Sequence, residues 1–330
     1  MRGRVHLVVG SNSFTGSHIA DALLSDPANT VHGVSRSAEY KDVFLPYKTK
    51  PAARFHFHRL DVVRDFPALA ALIEEIDPAV VVNVAALSEV ALSNERPAEY
   101  YEINTLATVK LCELLRRRRS LERYAHVSSA EIFGSCPEPL QENAPFRPST
   151  PYAVSKAAAD LHLEVLIRNA GFPATLIRST NVYGPHQQLF KIIPRSAIYL
   201  KLGRRIRLEG GGKAVKSFVH IRDVVRGLQA ALDKGGPGAY HFSTDLPLTV
   251  ADVVRMVCER MGKDFADAVE IAPDRVGQDA RYSLDCSKAR RELGWTPRED
   301  FRKGVDEVVD WIERNWDAIK EEPLVYQHKA

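Results

Sequence analysis

Cysteine is scarce in this chain, with four in 330 residues. Cys112, Cys136, Cys258 and Cys286 have no C-x-x-C spacing, so neither a disulfide framework nor a cysteine metal site is expected, and no residue is offered as a metal ligand. They read as free thiols of a reducing compartment. Long apolar runs are missing as well. No uninterrupted stretch could span a membrane, and the N-terminus opens on a strand-like run instead of a signal peptide, so the expectation is a cytoplasmic protein without membrane attachment. Charge of one sign is also lacking. Lys and Arg total 45 against 42 Asp and Glu, a net charge of +3 that argues for no nucleic-acid partner. The run Arg116, Arg117, Arg118, Arg119 closes a predicted helix, where cations suit the C-terminal dipole, and reads as a solvated face. Internal repeats and low-complexity segments are absent. The remainder, 45% hydrophobic and 26% charged, is globular in character and long enough for one large domain or two smaller ones.

Residues 5–9 form a short apolar, β-branched run, a buried strand. Gly10-Ser11-Asn12-Ser13-Phe14-Thr15-Gly16 follows, then a helical pattern over 17–24. Strand, glycine turn and helix in that order are the context of a dinucleotide-binding fingerprint. Gly10 permits the turn, Gly16 lets the helix pack closely, and the amides around Ser13, Phe14 and Thr15 would face a pyrophosphate. Ser13 stands where a middle glycine is expected. A second strand over 30–34 ends in Ser35-Arg36-Ser37, and an arginine there tilts the cofactor choice from NAD towards NADP. Further strands are expected over 55–60, 80–84, 124–128 and 174–178. Asp61 and Val62 at the end of one, and Ala85 at the end of the next, are candidate cofactor contacts.

Helices are expected over 66–76, 97–118 and 151–169. Strands alternating with helices predict an α/β fold, a doubly wound parallel sheet of Rossmann type. After residue 180 the texture changes. A turn is expected at 181–185, a helix at 192–202, strands at 204–208 and 216–220 and a helix at 221–232, with 240–242 returning to the main sheet. Helices at 249–261, 287–293 and 301–319 complete the chain. The dinucleotide-binding domain is therefore placed at 1–180, with about 221–245 returning to it. A smaller interleaved C-terminal substrate domain takes 181–220 and 246–330.

The chain turns on one stretch. Ser128-Ser129-Ala130-Glu131 sits at a strand end, where α/β folds bind ligands, and Tyr152 and Lys156 lie four apart on one helix face. An ammonium beside the phenol is expected to lower the Tyr152 pKa, making it a proton acceptor for a sugar or alcohol hydroxyl.

Taken in order, several segments resemble the extended short-chain dehydrogenase/reductase superfamily, specifically its nucleotide-sugar 4,6-dehydratases. They are Gly10 with Gly16, Asn83-Val84-Ala85-Ala86, Asn104, Ser129 with Glu131, Tyr152 with Lys156, and Asn181-Val182-Tyr183-Gly184-Pro185. To these are added Ser217-Phe218-Val219-His220-Ile221-Arg222-Asp223-Val224 and Glu292-Leu293-Gly294-Trp295-Thr296-Pro297. The second-strand region resembles the NADP-using GDP-mannose branch and the later part the NAD-keeping dTDP-glucose branch, so the dinucleotide stays open between the two.

The resemblance implies the following roles. Tyr152 removes the C4 hydroxyl proton, Lys156 holds the cofactor ribose, Ser129 bonds the C4 oxygen and Glu131 takes the C5 proton. Ser88 lies in the sugar pocket. Asn181, Lys191, Arg207, Lys216 and Arg275 grip the diphosphate and ribose of a nucleotide-diphosphate sugar. The cofactor is tightly held, and a homodimer forms on the helices 97–118 and 151–169, where Ala157, Leu161, Val165 and Leu166 make an apolar stripe. Three positions depart from the pattern. Ala130 replaces the Asp of the dTDP-glucose branch, Glu89 replaces a histidine, and Ser13 replaces a glycine. A 4-epimerase would have no use for Glu131. A decarboxylase would need a cation where His186 stands. A 5,6-dehydratase would stop at the alkene. A cofactor-binding regulator with a dead site would show no turnover.

Overall fold

The computed structural model describes residues 4–136, 138–273, 281 and 283–326. Its centre is a seven-stranded sheet. Strands β1 (Val5–Val9), β2 (Thr30–Ser35), β3 (Phe55–Arg59), β4 (Val80–Asn83), β5 (Arg123–Val127) and β6 (Ala174–Ser179) precede the short β7 (Asn181–Tyr183), β8 (Ile206–Glu209) and β9 (Val215–His220). Then come β10 (Gly238–Phe242), β11 (Pro247–Thr249) and β12 (Val269–Ala272). The main sheet runs β10-β6-β5-β4-β1-β2-β3, and every neighbouring pair is parallel. Parallel sheets are covered on both faces, which is why β4 and β6 are buried along their whole length. Strand order reverses between β1 and β4, and there the carboxyl ends of the strands open a crevice.

The glycine turn is built as its residues require. Gly10 has φ +91°, and a Cβ on it would stand 2.7 Å from the Ala85 nitrogen. A Cβ on Gly16 would meet the Gly10 carbonyl oxygen at 2.1 Å, so the helix Phe14–Leu23 sits against the turn as closely as backbone allows. This helix starts three residues earlier than its apolar pattern predicts, because Ser13 caps it. The Ser13 hydroxyl accepts from the Gly16 amide at 3.0 Å and donates to the Gly10 carbonyl at 2.7 Å.

The helix Pro151–Ala170 has a Thr150 cap, proline at its first turn and Gly171 in left-handed conformation just past its end. The single helix expected over 97–118 is instead Pro97–Tyr100, a π-helical turn Tyr101–Leu106 and Ala107–Leu115. The π turn directs Asn104 inward. Its side chain accepts from the Leu87 amide at 2.8 Å and donates to the Leu87 carbonyl at 3.0 Å and the Ser155 hydroxyl at 2.9 Å. The segment after β4 is thereby tied to the Tyr152 helix.

Residues 181–183 are a strand, not the expected turn. β7 pairs with β9, and β11 closes a three-stranded sheet on the other side of β9. The predicted helix 301–319 breaks at Asn315 into Phe301–Arg314 and Trp316–Ile319. The capping residue Thr249 forms a full capping box with Asp252. The second half has its own apolar core, from Ile193 and Ile198 to Val308, Trp311 and Ile312. It is joined to the sheet by a clamp. Buried Asp223 accepts from the amides of Arg298 at 2.9 Å and Glu299 at 3.1 Å, and the Trp295 indole donates to the Asp223 carbonyl at 2.9 Å. The two late motifs of the sequence are therefore one structural joint. All four cysteines are buried free thiols, and no helix among the described residues is long and apolar enough to cross a membrane.

Candidate active site

Three adjoining cavities lie over the carboxyl edge of the sheet. The first, about 200 Å³, fills the crevice between β1 and β4 and is lined by Gly10, Ser13, Arg36, Asp61, Val62 and Ala85 among others. Six of the expected cofactor contacts thus meet in one place. Gly16 does not reach it and serves the turn from behind. Asp61 holds its own loop, accepting from the amides of Val63 at 2.8 Å and Arg64 at 3.0 Å. Burial pushes its carboxyl up, but these bonds and the charges of Arg64 and Arg36 outweigh that and keep it below the usual range.

The second cavity, about 290 Å³, carries Phe14, Thr15, Ser129, Glu131, Tyr152 and Lys156 on one side and Asn181 and Lys191 on the other. Ser88 borders both cavities. The amides of a helix's first turn have no partner within the helix, and here that turn opens onto the cavity. Ser129 caps the short turn Ala130–Phe133, its hydroxyl accepting from the Glu131 amide at 3.2 Å. The same hydroxyl faces the Tyr152 phenol and lowers it. Ala130 points the other way, into an apolar cluster with Ile132, Phe133 and Ala157.

The expected effect of Lys156 on Tyr152 is reversed by burial. The phenol is raised, first by desolvation and then by the Glu131 carboxylate, and the Ser129 hydroxyl offsets only part of this. Lys156 does not reach it. Its ammonium donates to the Val127 carbonyl at 2.8 Å and lies 3.2 Å from His126 Nε2. Burial pushes Lys156 itself down to about 8, against the opposing charge of Asp160. His126 is held neutral, first by burial and then by the lysine.

The third cavity, about 400 Å³, continues outward from Asn181 and Lys191 to Arg207 and Lys216. Lys191 also faces Glu89 at 3.8 Å, and Arg207 faces Glu270 at 3.5 Å. Arg275 lies outside the described residues. Sequence reasoning missed Asn12, Gln188, Arg195 and Tyr326, all of which line these cavities. Asn12 binds the loop after β2, donating to the Ser37 hydroxyl at 3.0 Å and the Ala38 carbonyl at 2.7 Å and accepting from the Tyr40 amide at 2.9 Å. His186, the position where a decarboxylase carries its cation, is not among the lining residues. It bonds the Val43 carbonyl at 2.7 Å and packs on Trp311.

A family model described as GDP-mannose 4,6 dehydratase matches residues 7–308. The chain belongs to this family. Within it, the chain is 33% identical to a dTDP-glucose 4,6-dehydratase of Streptomyces antibioticus over 96% of both proteins. A solved dTDP-glucose 4,6-dehydratase from Streptomyces venezuelae, with NAD bound, superposes with a TM-score of 0.89 at 32% identity, covering 97% of this chain and 100% of that one. A UDP-glucuronic acid 4-epimerase from Bacillus cereus, in complex with UDP-glucuronic acid and NAD, gives 0.85 at 25% identity, covering 94% and 99%. Solved neighbours of this scaffold thus include a dehydratase and an epimerase, and the site chemistry must separate the two.

Proposed function

We propose that this enzyme is a nucleotide-sugar 4,6-dehydratase working by internal redox with a tightly held NAD(P). The observation that carries the reading is the placement of a carboxylate, Glu131, in the same cavity as Ser129, Tyr152 and Lys156. When bound, the dinucleotide supplies the hydride acceptor for C4 oxidation and the donor for C6. Gly10, Ser13, Phe14, Thr15, Arg36, Asp61, Val62 and Ala85 would hold it, and the open first turn at Ser13 fits its pyrophosphate.

Tyr152 accepts the proton of the sugar's C4 hydroxyl as the phenolate, the form that burial and Glu131 disfavour in the free enzyme, and Ser129 fixes that oxygen. The C4 ketone acidifies C5, and Glu131 removes the C5 proton. Ala130 offers no acid, so the protonated Glu131 also assists the hydroxyl leaving C6. Lys191, Arg207, Lys216 and Asn181 line the way outward and suit a diphosphate and ribose. The test is turnover of candidate nucleotide sugars in D2O. The product should be lighter by one water and carry solvent deuterium at C5. A product of unchanged mass without C5 deuterium makes the enzyme a 4-epimerase.

Arg36 lines the cofactor crevice and no carboxylate ends β2, which favours NADP. Denaturing the purified protein should release NADP. Release of NAD alone reassigns Arg36 to the adenine side or to its neighbour Asp61.

The assembly we infer is a homodimer. Of the expected stripe, Ala157 and Leu166 turn into the core, whereas Leu161 and Val165 are exposed, as are Tyr101 and Leu106 on the facing helix. A second copy would cover this apolar face with two-fold symmetry. Light scattering at micromolar concentration should give twice the chain mass of 36.8 kDa, and a monomer refutes the assignment.

A further inference from the structure

We infer that Arg178 is a positioning residue for Glu131, clamping the turn that carries Glu131 to the helix that carries Tyr152 and Lys156. The inference rests on the reading of Glu131 given above. Arg178 lies on β6 and is fully buried. Its Nε donates to Asp160 Oδ2 at 2.8 Å and its Nη2 to Glu164 Oε1 at 2.9 Å, both on the Tyr152 helix. Its Nη1 donates to the Glu142 carbonyl at 2.7 Å, in the loop that leaves the Glu131 turn. The guanidinium carbon also lies 5.5 Å from the ring centre of Phe133, the last residue of that turn, and 5.0 Å from Phe146. The loop folds back on the turn, with the Arg147 amide donating to the Ile132 carbonyl at 3.0 Å.

One planar cation therefore fixes the distance between the carboxylate turn and the phenol helix from below, without lining the cavity. Lysine could not do this, because its single nitrogen cannot reach the helix and the loop in fixed directions together. A buried ion pair adds little stability over an apolar replacement of like volume, so geometry is the better account of its presence. The Tyr152 helix has other anchors in Thr150, in the Asn104–Ser155 bond and in its own length. The Glu131 turn packs on Ala157 of that helix through Ala130, Ile132 and Phe133, and Arg178 adds the polar tie that gives this packing a fixed direction.

The experiment removes the buried pair together, as Arg178→Met/Asp160→Asn, so that no unpaired charge is left. Glu164 is partly exposed and can be solvated. Expected are a melting temperature close to wild type and C4 oxidation, read from nicotinamide absorbance, within a few-fold. Dehydrated product and C5 deuterium uptake should fall about 100-fold, the scale of a 1 Å misplacement. Arg178→Lys should share the selective defect. Backbone hydrogen exchange should quicken over 131–147 and stay unchanged over the Tyr152 helix. Equal loss of both chemical steps, or unchanged exchange over 131–147, overturns the inference. If wild-type enzyme forms no dehydrated sugar, the reading of Glu131 fails, and the exchange measurement alone still decides whether Arg178 clamps the turn.

Discussion

Glu131→Gln should oxidise its substrate at C4 and go no further. The variant keeps Ser129, Tyr152 and Lys156, and glutamine has the size and shape of the side chain it replaces. Ser129 still caps the turn, because that bond uses the backbone amide of residue 131. What disappears is the one carboxylate among the lining residues of the central cavity. A glutamine amide neither takes the C5 proton nor returns it to the departing hydroxyl. General acid–base groups contribute about 10² to 10⁴ in rate, and in the proposed mechanism one group does both tasks, so the loss should reach the upper part of that range. The measurable signature is reduced nicotinamide that accumulates after substrate is added, with little dehydrated sugar released and little deuterium at C5. The charge change has a second consequence. The Glu131 carboxylate helps raise the Tyr152 phenol, second only to burial, so its removal should move the acid limb of C4 oxidation to lower pH. Wild-type turnover by Glu131→Gln would make the carboxylate structural and leave the cavity without a base for C5.

The fold was legible where periodicity and turn chemistry agree. Alternating strands and helices, Gly10 before a helix and Thr150-Pro151 opening another can each be read locally, and the parallel order follows from them. The misplaced elements have tertiary causes. Residues 181–183 carry turn-like neighbours yet pair with β9, a partner 37 positions along the chain. The π turn at 101–106 has no propensity signal, because its purpose is to turn Asn104 towards Leu87 and Ser155. Ser13 looked like a damaged glycine motif and is a helix cap.

At the site, spacing put Tyr152 and Lys156 on one face, but spacing has no term for burial. It therefore gave the wrong sign for the phenol, because the ammonium turns to the Val127 carbonyl and His126. Tyr326 reaches two of the cavities from the far end of the chain, and only the folded path of the C-terminal segment brings it there. Arg178 in a strand of otherwise small and apolar residues is the one signal that could have been taken further, since an arginine in a fully covered parallel strand needs buried anionic partners.

Lys156→Met should stabilise the protein near neutral pH while stopping turnover. Burial moves the lysine from its ordinary 10.5 to about 8. Below pH 8 the group is charged in folded and unfolded chains alike, and the whole desolvation penalty opposes folding. Between about 8 and 10.5 the unfolded chain keeps a proton that the folded chain has released, so stability rises with pH through that window. Above 10.5 the lysine is neutral in both states and the penalty is gone. A shift of this size corresponds to about 3 kcal/mol, reduced by roughly 1 kcal/mol because the Val127 carbonyl loses its donor. The net gain at pH 7, about 2 kcal/mol, should appear as a melting temperature several degrees higher. The advantage should shrink as the pH approaches 10.5. Activity is expected to move the opposite way, because the family resemblance assigns this ammonium to the cofactor ribose and methionine has no donor. Such a trade is expected where a charged side chain is buried for function at the expense of stability. If Lys156→Met melts below wild type at pH 7 by an amount independent of pH, the folded chain stabilises the ammonium, and the contacts to Val127 and His126 outweigh its burial.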